Sequence, residues 1–94
     1  MAYIYIISNK YNGTLYVGVT SHLIQRIYQH RCKLVPGFSK KYGLDKLVYF
    51  EECQDIKSAI IREKRLKKWN RAWKIGLIER NNRNWDDLYP EIIK

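Results

Sequence analysis

Residues 2–20, AYIYIISNKYNGTLYVGVT, decide the fold. Two runs rich in β-branched and aromatic residues, Ala2 to Ser8 and Thr14 to Thr20, flank Asn9-Lys10-Tyr11-Asn12-Gly13. Asn-Gly ahead of an apolar run signals a hairpin, because both residue types tolerate positive φ. In an antiparallel hairpin whose loop holds an even number of residues, odd positions of the first strand share a face with even positions of the second. Tyr3, Tyr5 and Ile7 then lie beside Tyr16 and Gly18. The opposite face carries Ile4, Ile6, Leu15, Val17 and Val19 and is purely apolar. Tyrosine hydroxyls and a bare glycine on one face are either the floor of a polar cleft or ordinary strand packing.

Working outward, Ser21 is the expected N-cap of a helix from His22 to about Leu34. Pro36-Gly37 is expected to end it and to open a basic loop through Lys40, Lys41 and Gly43. Lys46 to Cys53, KLVYFEEC, reads as a third strand. Asp55 then caps a helix running to about Trp69, and a further helix covers roughly Arg71 to Arg80. The order β-β-α-β-α-α predicts an α+β fold, a small three-stranded antiparallel sheet flanked by helices. No repeat or linker divides the chain, so residues 1–94 are read as a single domain.

Composition sets the class of partner. The 94 residues hold 46% hydrophobic and 14% aromatic side chains, enough for a small core and too many for a disordered chain. Lys and Arg number 18 against 9 Asp and Glu, a net charge of +9, so a polyanion is the expected partner. No apolar run is long enough to cross a bilayer. Met1 to Ile7 is followed at once by polar Ser8-Asn9-Lys10, which argues against a signal peptide. Cys32 and Cys53 form neither a CxxC pair nor a disulfide framework, and read as free thiols of a cytoplasmic protein.

Polar residues that interrupt apolar faces carry the chemistry. At about 100° per residue, Glu63 falls about 20° from Ile56, within the stripe of Ile56, Ala59, Ile60 and Leu66. An acid on that stripe is costly to desolvate unless it is paired or holds a cation. It is either a carboxylate bonded at the core's edge or a metal-ligating or catalytic one. On the preceding helix His30 falls among Leu23, Ile27 and Leu34, with Arg26 at i−4 on the same patch of surface. Each alone has a bland structural reading. Two such groups from different helices suggest one shared site.

Basic residues gather late in the chain, with Trp69, Trp73 and Trp85 among them. Lys64, Lys67, Lys68 and Arg71 fall on one helical side, as a surface tracking a phosphate backbone would require. A basic amphipathic helix also suits a membrane surface, but Glu63 within its apolar face argues against that. No Walker-type loop, zinc spacing, GxSxG elbow or dinucleotide fingerprint is present.

Tyr3-Ile4-Tyr5, then Leu15-Tyr16-Val17-Gly18, then Arg26 in LIQRIYQH, then Glu63 in AIIREKRLKKW resemble the GIY-YIG nuclease superfamily, in particular its small stand-alone bacterial members. The resemblance extends through Asn82 and Trp85-Asp86-Asp87-Leu88. It implies metal-dependent hydrolysis of phosphodiesters, of DNA rather than RNA, with one Mg²⁺ or Mn²⁺ and no small-molecule cofactor. Glu63 would be the metal's single carboxylate ligand, and Arg26 would bind the scissile phosphate. Tyr5 and Tyr16 would orient or deprotonate water, His30 would accept a proton, and Gly18 would let the backbone pass close to the site. Asn82 would support them, and Lys40 and Lys41 would join the basic surface. A free tyrosine, with a pKa of about 10, needs a neighbouring cation or base to act at neutral pH. One carboxylate makes a weak Mg²⁺ site until phosphate and water complete it.

Three positions depart from the family pattern. Tyr3 replaces the first glycine, Val19 stands where many members carry lysine, and Arg83 stands where proline follows the Asn in small members. Two competing readings are a non-catalytic nucleic-acid-binding module and a basic adaptor for a protein partner.

Overall fold

The hairpin forms between β1 (Ala2–Ser8) and β2 (Leu15–Thr20), with Tyr5 opposite Gly18 and Ile7 opposite Tyr16. The computed structural model describes residues 1–94, the side chain of Phe38 excepted. The chain reverses where Gly13 N donates to Lys10 O at 2.9 Å, with Asn12 at φ +55°. Of the Asn-Gly pair only Asn12 adopts the left-handed region. Gly13 is required for space: a Cβ there would collide with Asn9 Oδ1, which accepts from Thr14 N at 3.1 Å.

Strand β3 (Lys46–Cys53) pairs antiparallel with the other side of β1, giving the order β2-β1-β3. The expected three-stranded antiparallel sheet and α+β class are therefore present. Ile6 faces Tyr49 and Ile7 faces Leu47, so Val48 is the extra residue of a β-bulge.

Each face of the sheet buries its own cluster. Ile4, Ile6, Val17 and Val48 meet Ala59 and Leu66 of α3 (Ile56–Lys68), Leu77 and Ile78 of α4 (Arg71–Glu79), and Trp85. Tyr5, Ile7 and Leu47 on the other face meet Leu23 and Ile27 of α1 (Leu23–Arg31) and Leu44. The faces are those the alternation of residues 2–20 predicts. Two helices lie outside the expected order, α2 (Phe38–Lys41) and α5 (Tyr89–Ile92). At four residues each, they are too short to show a helical period.

Helix α1 is shorter than expected at both ends. Ser21 sits one residue too early to cap it; His22 holds the cap position without a side-chain bond, and its N–H goes to Thr20 Oγ1 at 3.0 Å. The far end closes at Lys33 rather than at Pro36-Gly37. Lys33 has φ +58°, its N–H reaches His30 O at 3.0 Å, and Leu34 N reaches Gln29 O at 2.8 Å. Those two bonds are a Schellman closure. Leu34 is thereby turned out to 66% exposure and is no part of the apolar stripe. Asp55 caps α3 as expected, accepting from Ser58 N at 2.8 Å, and Asn70 caps α4 through Trp73 N at 2.9 Å.

The C-terminal segment closes the free edge of β3. Asn82 Nδ2 donates to the bulge carbonyl of Val48 at 3.0 Å and to Asp86 O at 2.8 Å, while its Oδ1 accepts from Asp86 N at 2.9 Å. Leu88 N donates to Leu47 O at 2.7 Å, and Leu47 N to Asp87 Oδ1 at 3.2 Å. Trp85 is fully buried, and its Nε1 donates to Glu79 Oε2 at 2.7 Å. Losing three bonds and stranding a buried carbonyl, Asn82→Ala is expected to cost about 2–4 kcal/mol. Urea denaturation with an unchanged slope is the check; a loss below 0.5 kcal/mol (about the surface-substitution level) would contradict the role.

Candidate active site

Arg26 and His30 lie one turn apart on α1, and Ile27 between them anchors the helix to the sheet. That anchoring presses His30 down to 3% exposure above the face of Tyr5 and Tyr16. His30 Nε2 lies 2.9 Å from Tyr5 Oη, and His30 Nδ1 lies 3.0 Å from Ser39 Oγ on α2. The Tyr16 and His30 ring centroids are 5.9 Å apart. In one tautomer Tyr5 donates to Nε2 and Nδ1–H donates to Ser39; in the other both directions reverse. A buried row of hydroxyl, imidazole and hydroxyl results.

Gly18 makes that row possible. A Cβ on Gly18 would stand less than 3.0 Å from Cζ, Oη and Cε2 of Tyr5. The glycine makes room for the Tyr5 ring across β2.

Burial and the neighbouring Tyr16 raise the Tyr5 phenol above its ordinary range, Glu63 adds to the rise, and Arg26 opposes it. Burial first, and the Arg26 charge second, depress His30 to about 4. Both groups are neutral at pH 7, and the row is an uncharged donor–acceptor pair. This has a consequence for stability. The unfolded chain protonates His30 near pH 6.5, so between about pH 6.5 and 4 it binds more protons than the folded one. Stability is unaffected by this group above pH 7 and is expected to fall, by up to about 3 kcal/mol, as pH drops through that window. Urea denaturation at pH 7 and pH 4.5 measures it; His30→Gln should remove most of the difference.

Glu63 enters from α3, but not from the middle of an apolar stripe. Ala59 and Leu66 are buried, whereas Ile56 and Ile60 are exposed, so the buried stripe is narrower than the spacing suggested. Glu63 lies on its margin with a side chain 14% exposed. Lys67, one turn on, places Nζ 3.3 Å from Glu63 Oε2 and 5.6 Å from the Tyr16 ring centroid. Lys67 therefore sits within the site and not only on a basic outer surface. Arg26 is half-buried and has no hydrogen bond or ion pair among the described residues.

The remaining expected residues are dispersed. Lys64 and Lys68 are exposed on α3, and Lys40 and Lys41 are exposed on α2. Arg71 is off the α3 surface, because the helix stops at Lys68 and the chain restarts after Asn70. Its NH2 donates to Asn12 O at 2.7 Å and Gly13 O at 2.6 Å, clasping the hairpin turn. Asn82 supports β3 through its backbone. Ser39, buried against His30, carried no signal in the sequence, since a four-residue helix inside a basic loop has no pattern to break.

The donor set suits a hard, oxygen-seeking ion of limited protein ligation. Among the described residues no group of three or more His, Cys, Asp and Glu is placed to hold a metal. Glu63 offers one carboxylate, paired with Lys67, which fits Mg²⁺ or Mn²⁺ only if phosphate and water supply the other ligands. No described helix is long and apolar enough to cross a membrane.

Known proteins resemble this chain in sequence and fold. A UPF0213 protein of Clostridium perfringens is 34% identical over 92 residues, 98% of each chain. Another, from Syntrophus aciditrophicus, is 32% identical over 80 residues, 84% of this chain and 91% of that one. The solution NMR structure of a UPF0213 protein from Bacillus halodurans shares the fold, with a TM-score of 0.56 and 23% identity over 93% of each chain. Residues 1–76 match the family model of the GIY-YIG catalytic domain, and with most of its length so matched the chain belongs to the GIY-YIG family.

Proposed function

We propose that the protein is a metal-dependent endonuclease that hydrolyses DNA phosphodiesters. The observation that carries this reading is the contact of Tyr5 with His30, beside an Arg26 with no hydrogen bond or ion pair among the described residues and a Glu63 carboxylate held by Lys67. Glu63 would hold one Mg²⁺ or Mn²⁺, which when bound supplies Lewis-acid stabilisation of charge on the phosphate. Arg26 binds that phosphate through its guanidinium fork and offsets charge building on its oxygens. Tyr5 takes a proton from the attacking water while passing its own to His30 Nε2, and Ser39 holds the imidazole at the angle this transfer needs. Tyr16 orients the water from the strand alongside. An incoming phosphate favours the protonated imidazole and so assists the transfer.

Lys40, Lys41, Lys64 and Lys68, with Lys67 where it is released from Glu63, would steady the DNA backbone. Their contribution should weaken steeply with salt.

The test is cleavage of labelled linear, single-stranded and branched DNA with Mg²⁺, Mn²⁺ or EDTA. Metal-dependent cutting is expected, and Arg26→Ala should lower it about 10²- to 10³-fold, as loss of one charge-stabilising donor does. Binding without cutting under every condition would favour the binding module instead.

A further inference from the structure

A groove of about 800 Å³ opens between α1 and α5, and Glu63 is not among its lining residues. Tyr3 and Phe50 of the sheet line it with Tyr28 of α1 and Tyr89 and Ile92 of α5. None of these aromatic side chains has a part in the site described above. Tyr28 is 54% exposed, although aromatic rings of that size usually bury most of their surface. Tyr89 is fixed from behind: the Arg31 guanidinium lies 4.6 Å over its ring and is itself paired with Asp87.

A second cavity, of about 370 Å³, lies against Arg26 and Gln29. The two cavities share Ser21, His22 and Gln25, and so meet at the N-terminal turn of α1. A chain bound at Arg26 can therefore pass around that turn into the aromatic groove.

We propose that this groove receives an unpaired base of the DNA strand whose adjacent phosphate lies at Arg26. The proposal rests on the nuclease reading and adds the substrate's form to it. Stacking on aromatic rings suits any base, because every base has a π face. No lysine or arginine lines the groove among the described residues, and Glu91 does. A carboxylate repels phosphate but accepts a hydrogen bond from an exocyclic amine, so the groove fits a base and not the backbone. A base held inside a duplex stack cannot enter it without being flipped out. Strands with an unpaired nucleotide, at a junction, flap or gap, are thus the favoured substrates.

The experiment uses the whole chain in EDTA, where nothing is cut, with DNA of about ten nucleotides carrying 2-aminopurine at successive positions. Quenching is expected when the probe is unpaired and not when it is fully paired. Tyr28→Ala should weaken binding of the unpaired strand about 5- to 150-fold, the range expected for one stacked base, and leave duplex binding unchanged. Tyr28→Phe should behave as wild type. An abasic position should lose as much, with no further loss on adding Tyr28→Ala. Thermal melting establishes folding of each variant, and Tyr89→Leu provides a second variant in the same groove.

Absence of quenching at every position, or equal losses on paired and unpaired DNA, would overturn the proposal. So would a change in oligomeric state with unchanged DNA binding, which would make the groove a contact for a second copy of the chain. Because cleavage is not read, quenching by a protein that never cuts would support the groove and remove only the nuclease reading.

Discussion

Glu63→Gln is expected to lower metal-dependent cleavage by at least about 10³-fold, since a bound ion's contribution amounts to several kcal/mol of charge stabilisation. The amide keeps the shape of the side chain and an oxygen that Lys67 can still donate to, so α3 should remain in place. Glu63 is the carboxylate at the margin of the buried stripe, and among the described residues no group of three or more His, Cys, Asp and Glu is placed to take over. Stability should move by less than about 1 kcal/mol, because the lysine of the Lys67 pair is about half exposed and the amide still offers it an oxygen. DNA binding in EDTA should survive. Single-turnover cleavage, binding and urea denaturation of the same preparation separate these outcomes. A variant that cuts like wild type would remove Glu63 as the metal ligand, and one that unfolds would return it to the bland role of an acid bonded at the core's edge.

Gly18→Ala is expected to destabilise the fold by about 1–3 kcal/mol, the usual cost of overpacking, and to abolish cleavage with it. The sign is the informative part. In an ordinary strand interior, replacing glycine by alanine gains stability by reducing the freedom of the unfolded chain. Here the added methyl would enter the Tyr5 ring. Tyr5 would have to swing away from His30, and the buried row that ends at Ser39 would break at its first contact. The clash is with one side chain, so it can be tested by removing that side chain. In the cycle of Gly18→Ala, Tyr5→Ala and the double variant, the two losses should fall short of additivity by about 1–3 kcal/mol. Additivity within about 0.5 kcal/mol would mean that the glycine serves the backbone alone.

The hairpin was legible because the period of two is local: once one residue of β1 is placed on a face, every other residue of residues 2–20 follows. Tyr5, Tyr16 and Gly18 came with it. Glu63 and His30 were legible as polar breaks in apolar spacing, although the stripe around Glu63 was drawn too wide, because Ile56 and Ile60 look buried by type and are exposed in the fold. What failed to show lay where no periodic pattern marks it. Ser39 gains its place from His30, on a helix too short to have a face. Arg71 was assigned to the basic surface by continuing a helical angle across Trp69-Asn70, where the helix stops. The end of α1 was set by Lys33 in a left-handed turn, a conformation that lysine does not advertise.

The family match stops at residue 76, yet the interior does not. Leu77, Ile78 and Trp85 fill the cluster beneath Ile4 and Ile6, and Asn82 holds the bulge at Val48. The stretch bearing the chemistry and the stretch completing its support are thus interlocked rather than nested. This candidate site is not portable as its signature alone: grafted elsewhere, it has to travel with the tail that completes the core beneath it. Sequence drift in that tail would reach the candidate site through the position of β1, the strand that carries Tyr5.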